Sequence, residues 1–424
     1  MFLTLRFLIV LPLLYCSLLS PTWASWTAIG DFDWRQEFPR TLNLTVNSAG
    51  DVYLAVGSRV KMFQNTQWID VGELNADDIR EIKLAIAADD TVYVSYYASN
   101  DKKIVVKQFD GEQWLSVGTP LMHEQNYLSN KSLAIASDGT PYIGYLQFAD
   151  VHQYEFIVRK YNGSAWIGVE GLYQPGIFLE PYPIAGFTIA PDDTLYFYYA
   201  DYLAGFAVKK WLDGEWVVVG EPFGNFSNHQ VTSPRLVFSQ DNSIYVIYRI
   251  DFTSSIAIVQ FENDHWNFVG TQQTSSNTEV PPDLVLDNQN KPYIALSDNA
   301  PQAQVMEFNQ DQWQTLEDTP VAPGGLKNVK LAFTDDNSLY LAYTYQNEWG
   351  SYNVAVLRDQ SSTTPQPCAH TMASYSIPKR RLTIPAIKIP VVDFLSGETT
   401  GEIETWTGVL KQVYGTAHFR LIQK

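Results

Sequence analysis

The chain repeats one short sequence pattern seven times. Four of the copies read LAIAADDTVYVSYY from Leu84, LAIASDGTPYIGYL from Leu133, FTIAPDDTLYFYYA from Phe187 and LVFSQDNSIYVIYR from Leu236. One tyrosine marks each copy, and these tyrosines are Tyr53, Tyr93, Tyr142, Tyr196, Tyr245, Tyr293 and Tyr340. Their spacings of 40 to 54 residues are typical of supersecondary units that stack on one another. We therefore expect a repeat architecture.

Each repeat divides into four short strands. The first strand is apolar and ends in a turn such as Asp138-Gly139, where Asp, Asn and Gly tolerate a positive φ. The second is rich in tyrosine and valine, and the third mixes apolar with basic residues. The fourth begins at a tryptophan and often ends in Val-Gly, as in 216–220. Since helical periodicity is almost absent, the pattern predicts an all-β fold of four-stranded blades set radially, a β-propeller.

The tryptophans show how the ring closes. They form a second series, Trp26, Trp68, Trp114, Trp166, Trp216, Trp266 and Trp313. This series starts before the first repeat, whereas the last repeat, with strands near 328–334, 338–345 and 352–358, has no fourth strand of its own. We predict that residues 26–30 pair with residues 352–357. The fold is then a seven-bladed β-propeller closed by an N-terminal strand.

The N-terminal residues 1–24 have the features of a signal peptide. Arg6 precedes an apolar stretch at 7–19, and small residues precede Ser25. This stretch is too short for a comfortable membrane span, and no other stretch is long and apolar enough for one. We expect a secreted, periplasmic or cell-surface protein without a membrane span.

Residues 25–360 are predicted to form the propeller, 361–372 a linker and 373–424 a small C-terminal β module. The linker is polar and contains proline, and four β-type segments follow it, at 373–377, 381–389, 402–413 and 418–422. Removal of the signal peptide would leave Cys368 as the single cysteine. This residue is predicted to be a free thiol or to form an intermolecular disulfide.

The composition argues against several classes of function. A net charge of −18 disfavours nucleic acid as a partner, because phosphate binding needs a basic surface. The acidity serves solubility or, alternatively, attracts cations or a basic partner. No HxH, HExxH or CxxC motif, nucleophile elbow, phosphate loop or spaced calcium loop occurs. We therefore expect no catalytic residue, metal or cofactor.

The loops point to one face of the ring. The turns between strands one and two, and three and four, are short, whereas the connections on the opposite face are long at 119–130, 171–183, 221–233 and 272–281. Recognition residues concentrate in loops on a rigid scaffold. The candidate binding residues there are Tyr97, Asp101, Asp150, Asp201, Tyr202, Asp251 and Asp298. Aromatic rings beside carboxylates suit a carbohydrate, although the aspartates could instead simply end strand two and cap the loop.

The D-G-x-x-Y turns and W-x-x-V-G strands resemble the propeller repeats of secreted bacterial proteins, including seven-bladed lectins. The sialidase box, the WD series and the kelch double glycine are not in this sequence, so no residue roles transfer from those families. Two hypotheses remain. One is a non-catalytic recognition or scaffold protein that binds a glycan or an extracellular or surface protein through the long loops. The other is a glycosidase or lyase that uses carboxylates near the channel.

Overall fold

The computed structural model divides the chain into two compact units, Met1–Ser362 and Thr363–Lys424. The residues that it describes are 26–29, 41–76, 78–122, 128–150, 153–169, 184–201, 205–223, 231–250, 254–275, 280–297, 303–316, 326–346, 351–359, 389–392, 399–403, 407–413 and 416–422. The predicted signal peptide and linker lie outside them. Among the described residues, no helix has the length and apolar character needed to span a membrane.

Seven antiparallel sheets make up the first unit, and each is one blade of a seven-bladed β-propeller. Blades 1 and 2 contain β2 (Leu42–Val46), β3 (Val52–Val56), β4 (Arg59–Gln64), β5 (Gln67–Glu73), and then β6 (Ile79–Ile86), β7 (Val92–Ala98), β8 (Lys103–Phe109), β9 (Trp114–Ser116) and β10 (Leu121–Met122). Blades 3 and 4 contain β11 (Leu128–Ile135), β12 (Pro141–Asp150), β13 (Gln153–Tyr161), β14 (Trp166–Gly168), and then β15 (Ala185–Ile189), β16 (Leu195–Asp201), β17 (Gly205–Leu212) and β18 (Glu215–Val218).

The remaining blades have the same strand order. Blades 5 and 6 contain β19 (Val231–Phe238), β20 (Ile244–Ile250), β21 (Ser255–Glu262), β22 (His265–Phe268), β23 (Gln273–Thr274), and then β24 (Asp283–Leu286), β25 (Pro292–Ser297), β26 (Ala303–Asn309) and β27 (Gln312–Thr315). Blade 7 contains β28 (Leu326–Phe333), β29 (Leu339–Gln346), β30 (Tyr352–Asp359) and, from the N-terminus, β1 (Trp26–Ala28).

The N-terminal strand completes blade 7, as the sequence predicted. β1 pairs with β30 in antiparallel register, with Trp26 opposite Asp359 and Ala28 opposite Leu357. The Ile29 amide continues the ladder by donating to the Val356 carbonyl at 3.0 Å. The contact therefore involves the C-terminal half of β30, about two residues further along than the sequence suggested. It joins the two ends of the ring by backbone hydrogen bonds.

The apolar core lies between the blades rather than within one central mass. The described residues form seven clusters of buried side chains, and each cluster contains residues of two neighbouring blades. The second strands pack on both faces, so that all of β3 and β20 is buried. This explains why the strands are apolar on both faces. Each blade packs against two neighbours, and each further blade adds one more interface, so that this fold can exceed the usual size of a single core.

The second unit contains two described hairpins. β31 (Ile389–Val392) pairs with β32 (Thr399–Ile403), and β33 (Thr407–Val413) pairs with β34 (Thr416–Ile422). The prediction of one strand over 402–413 was wrong, because its two ends pair with different partners. The predicted strand at 373–377 and most of the one at 381–389 lie outside the described residues.

Candidate functional site

The seven turns between first and second strands share one backbone conformation. Each turn has five residues. The amide of the first residue donates to the carbonyl of the fifth, and the amide of the fourth residue donates to the carbonyl of the first. The fourth residue has a positive φ of 62 to 82° in every blade, and these residues are Gly50, Asp90, Gly139, Asp193, Asn242, Asn290 and Asn337. This confirms the reading of the Asp, Asn and Gly positions as hairpin turns.

These turns also bond to one another around the ring. The amide of the second turn residue donates to the side chain of the fourth turn residue in the next blade. Four such links are present: Ser48 to Asp90 at 2.8 Å, Ser137 to Asp193 at 2.7 Å, Gln240 to Asn290 at 3.1 Å and Asn288 to Asn337 at 3.1 Å. Because the hydroxyl and amide of Ser48 both bind Asp90, the pKa of that carboxyl is lowered. We call this set the turn belt.

The sequence explains the three gaps in the turn belt. Between blades 2 and 3, and between blades 7 and 1, the fourth turn residue is glycine (Gly139 and Gly50), which has no side chain to accept the bond. Between blades 4 and 5 the acceptor Asn242 is present, but the second turn residue is Pro191, which has no amide hydrogen. The Oδ1 atom of Asn242 is accordingly buried without a hydrogen-bond partner in the described part of the chain.

The tryptophans form a second set of links at the outer edge of the ring. Each linked indole N–H donates to a carbonyl near or directly after the end of the fourth strand of the preceding blade. The pairs are Trp68 to Ile29 at 2.7 Å, Trp114 to Val71 at 2.5 Å, Trp166 to Val117 at 3.0 Å, Trp266 to Val219 at 3.1 Å and Trp313 to Val269 at 2.8 Å. These contacts support packing between blades as the role of the tryptophans.

A glycine follows the acceptor in all five of these pairs. At Gly220, φ is +67° and a Cβ atom would lie 2.8 Å from the Trp266 indole nitrogen, so no larger residue fits without rearrangement. In two repeats a glutamate, at position 170 or 317, replaces this glycine. The tryptophans of the next blades, Trp216 and Trp26, have buried indole nitrogens without a partner among the described residues.

The first strands surround the central channel. Because the repeats align on their turns, the same position of each first strand contributes one residue to a common layer of the channel. This residue lies four positions before the first turn residue in each blade. The residues of this layer are Asn43, Lys83, Ser132, Gly186, Arg235, Asp283 and Lys330. Three are basic and one is acidic, although the chain as a whole is strongly acidic. We call these residues the channel layer.

A charged cluster joins blades 5, 6 and 7 in the channel layer. Asp283 is fully buried, and its Oδ1 contacts both the Arg235 guanidinium and the Lys330 ammonium, the latter at 2.9 Å. Its Oδ2 accepts the Leu331 amide at 2.8 Å. Burial lowers the pKa of Arg235 to about 10, and burial together with the charge of Arg235 lowers the pKa of Lys330 well below its usual value. Two cations thus share one carboxylate.

Blade 4 brings a tyrosine close to this cluster. Gly186 has no side chain, and the ring of Tyr198 on the neighbouring strand occupies the space where a Cβ would lie. Burial raises the pKa of the Tyr198 hydroxyl to about 12, while the positive charge of Arg235 opposes that rise. In blade 4 the phenol group of Tyr198 therefore occupies the position that a first-strand side chain occupies in the other blades.

A cavity of about 440 Å³ opens at the end of the channel nearest the turn belt. It lies mainly along blades 3, 4 and 5, next to the gap in the belt at Pro191. The residues that shape its polar character are Ser137, Thr188, Asp193 and Arg235. Arg235 links this cavity to the charged cluster. Sequence reasoning missed the cluster, because its three members come from three different repeats, and only an alignment of the repeats on their turns would have shown them in one layer.

Of the residues predicted to bind a ligand, the structure describes the side chains of two. Tyr97 is half-buried at the end of β7, and its pKa is raised by burial and by Glu81 and lowered by Arg80. Asp101 is exposed in the next turn and forms an ion pair with Lys103 at 2.7 Å. Both lie in the β7–β8 hairpin, on the face opposite the turn belt.

The other predicted site residues stay predictions. Asp150 and Asp201 end β12 and β16, as a strand-ending role requires, but their side chains lie outside the described residues. Tyr202, Asp251 and Asp298 also lie outside them. Within the described ranges, no group of three or more His, Cys, Asp or Glu residues is arranged to hold a metal ion.

The chain matches no protein-family model and no curated protein sequence. It is similar in structure to the polysaccharide lyase Uly1, with a TM-score of 0.51 and 9% identity over 78% of this chain and 91% of the lyase. It is also similar to a puromycin-hydrolysing peptidase of Mycobacterium tuberculosis, with a TM-score of 0.52 and 11% identity over 76% of this chain. The match spans 52% of that peptidase. These likenesses show the propeller fold.

Proposed function

We propose that this chain is an exported, non-catalytic recognition or scaffold protein that binds a glycan or a surface protein. The binding surface is the long-loop face, which carries the β7–β8 hairpin and lies opposite the turn belt. One observation carries this proposal, the difference between the two faces of the ring. The turn belt repeats one five-residue conformation in all blades and bonds several of them together. The opposite connections differ in length from blade to blade, as loops that carry recognition do.

The charged cluster disfavours the alternative, a carbohydrate-active enzyme with carboxylates near the channel. Glycosidases need two carboxyl groups that are free to act as acid and as base or nucleophile. Asp283, the one carboxylate of the channel layer, is bound by two cations and a backbone amide. A carboxylate in this position is a poor general base. The likeness to a polysaccharide lyase concerns the fold and leaves the enzyme hypothesis to experiment.

A glycan array probed with the full chain, together with capture of surface proteins, tests the proposal. Asp101→Ala on the long-loop face should weaken binding, whereas Asp110→Ala, at the hairpin turn on the opposite edge of the same blade, should leave it unchanged. Both variants lose one exposed carboxylate. Release of product from any bound sugar would establish the enzyme alternative. Equal effects of the two substitutions would contradict recognition by the long-loop face.

A further inference from the structure

The channel layer carries a net positive charge, whereas the chain as a whole is acidic. Its ionisable side chains are Lys83, Arg235 and Lys330 against the single carboxylate of Asp283. Within an acidic protein this is a local excess of positive charge. The carboxylate is already engaged by its two cations and by the Leu331 amide. The cluster of blades 5 to 7 therefore has more donors than its own acidic group can accept.

The guanidinium of Arg235 has more N–H donors than its ion pair with Asp283 uses. The ion pair with Asp283 is made through its buried Nη1 atom, and the guanidinium has further N–H groups on Nε and Nη2. Its Nη1 atom is buried, whereas the side chain as a whole is 37% exposed and forms part of the cavity wall. A guanidinium offers five N–H groups in a fixed fork, which matches the oxygens of carboxylates and phosphates. The N–H groups that lie outside the ion pair with Asp283 can donate to an oxyanion inside the channel.

The cavity has the size and the polarity for such a ligand. Its volume of about 440 Å³ lies within the range of small-molecule sites. Asp193 also lines the cavity, and it accepts hydrogen bonds from the Ser137 amide and hydroxyl. A second anionic group would be repelled there, whereas a hydroxyl could donate to this carboxylate or to Thr188. The walls therefore favour a molecule with one anionic end and one hydroxylated end.

We propose that this cavity binds a small organic anion, whose carboxylate or phosphate group is held by the Arg235 guanidinium, with the nearby charge of Lys330, which shares Asp283 with Arg235, adding to the attraction. This site lies at the turn-belt end of the channel and does not depend on the long-loop face. The lowered pKa values of Arg235 and Lys330 agree with the proposal, because a bound anion would offset the cost of keeping both groups charged.

Isothermal titration calorimetry of the full chain at low salt tests the site with three probes: sodium phosphate, sodium glucuronate and glucose. We expect saturable binding of at least one of the two anions and no heat from glucose, and we expect binding to weaken as salt is added. Preference between phosphate and glucuronate distinguishes the two kinds of oxyanion. Arg235→Met should weaken the binding at least tenfold, and Lys330→Met should weaken it by a smaller factor.

Lys61→Met is the matched control, because Lys61 also pairs with a carboxylate, Asp70 at 2.7 Å, but lies outside the channel. Its affinity should equal that of the unchanged protein. If Arg235→Met fails to fold by circular dichroism, Lys330→Met carries the test, since it leaves the Arg235–Asp283 pair in place. Absence of saturable anion binding, equal binding of glucose, or equal affinity in the Lys330 and Lys61 variants would overturn the proposal. None of these outcomes bears on the long-loop face.

Discussion

Two junctions between blades are held by hydrogen bonds at opposite edges of the ring. Blades 6 and 7 are bonded near the channel, whereas blades 4 and 5 are bonded at the outer edge. At the first, Asp283 binds the Leu331 amide and Lys330 near the channel, and Asn288 donates to Asn337 in the turn belt. The outer indole of Trp26 has no described partner there. At the second, the belt is interrupted, but Trp266 donates to Val219 at the outer edge. The cavity lies at this second junction, where the belt does not restrain the inner edge.

This contrast shows that two independent kinds of hydrogen bond can join neighbouring blades, and that either kind is sufficient at an interface. One is formed by a turn residue with an amide facing a side-chain acceptor, and the other by a tryptophan facing a carbonyl that precedes glycine. One residue is enough to remove either bond. Proline in place of the amide donor removes the turn bond, and the indole bond is missing where glutamate replaces the glycine. The apolar cluster between the blades persists in both cases. The following substitutions separate these contributions.

The largest effect is expected at the inner edge of the junction between blades 6 and 7. Asp283→Ala leaves Arg235 and Lys330 close together without their carboxylate, and it leaves the Leu331 amide unpaired. Breaking such a buried arrangement from one side costs about 3–5 kcal/mol. Urea unfolding measures the loss. Asp138→Ala, an exposed turn aspartate, should cost less than half as much, and similar losses in the two variants would contradict a structural role for the cluster.

A smaller effect separates the two tryptophans at the outer edge. Trp266→Phe and Trp26→Phe remove the same atoms, but only Trp266 loses a hydrogen bond in the described structure. One such bond contributes about 0.5–1.5 kcal/mol. Trp266→Phe should therefore be the less stable variant by roughly that amount in thermal or urea unfolding. Equal stabilities, or the reverse order, would show that the indole bonds do not hold the blades.

The smallest effect concerns the turn belt. Asn337 and Asn242 have φ values of 62° and 63°, which glycine adopts readily, so replacing either by glycine keeps the turn. Asn337→Gly loses the bond from Asn288 and should destabilise the protein by less than about 1 kcal/mol. Asn242→Gly removes a buried oxygen that has no described partner, and should be neutral or slightly stabilising. The opposite order of melting temperatures would contradict the proposed gap at Pro191.

Much of this architecture follows from the repeats. Each blade contains one tyrosine and one tryptophan of the two series, so that their number predicts seven blades. Trp26 comes before the first repeat, whereas the repeat of Tyr340 has no tryptophan after it, and this predicts the closing strand. The turn residues predict the positive φ positions, since few residue types tolerate them. Even the gaps in the turn belt correspond to Gly50, Gly139 and Pro191.

The channel chemistry could not be predicted in the same way. Arg235, Asp283 and Lys330 look like unrelated charges in three separate strands, and only the radial arrangement brings them together. Their ion pairs depend on side-chain length and direction across an interface, which a single repeat does not encode. The loop-face prediction used a different signal, the length of the connections. Of that set, the structure describes the side chains of Tyr97 and Asp101, which lie in one hairpin.

The central claim is that the N-terminal strand closes a seven-bladed ring, and the Ile29 amide tests it most directly. This amide donates to the Val356 carbonyl at 3.0 Å, and the Ile29 side chain is buried against blades 1 and 7. Residue-resolved hydrogen exchange on the full chain should show Ile29 protected to a degree close to that of the amides in β30. Exchange of Ile29 at the rate of an unstructured peptide, with β30 still protected, would contradict closure by this strand.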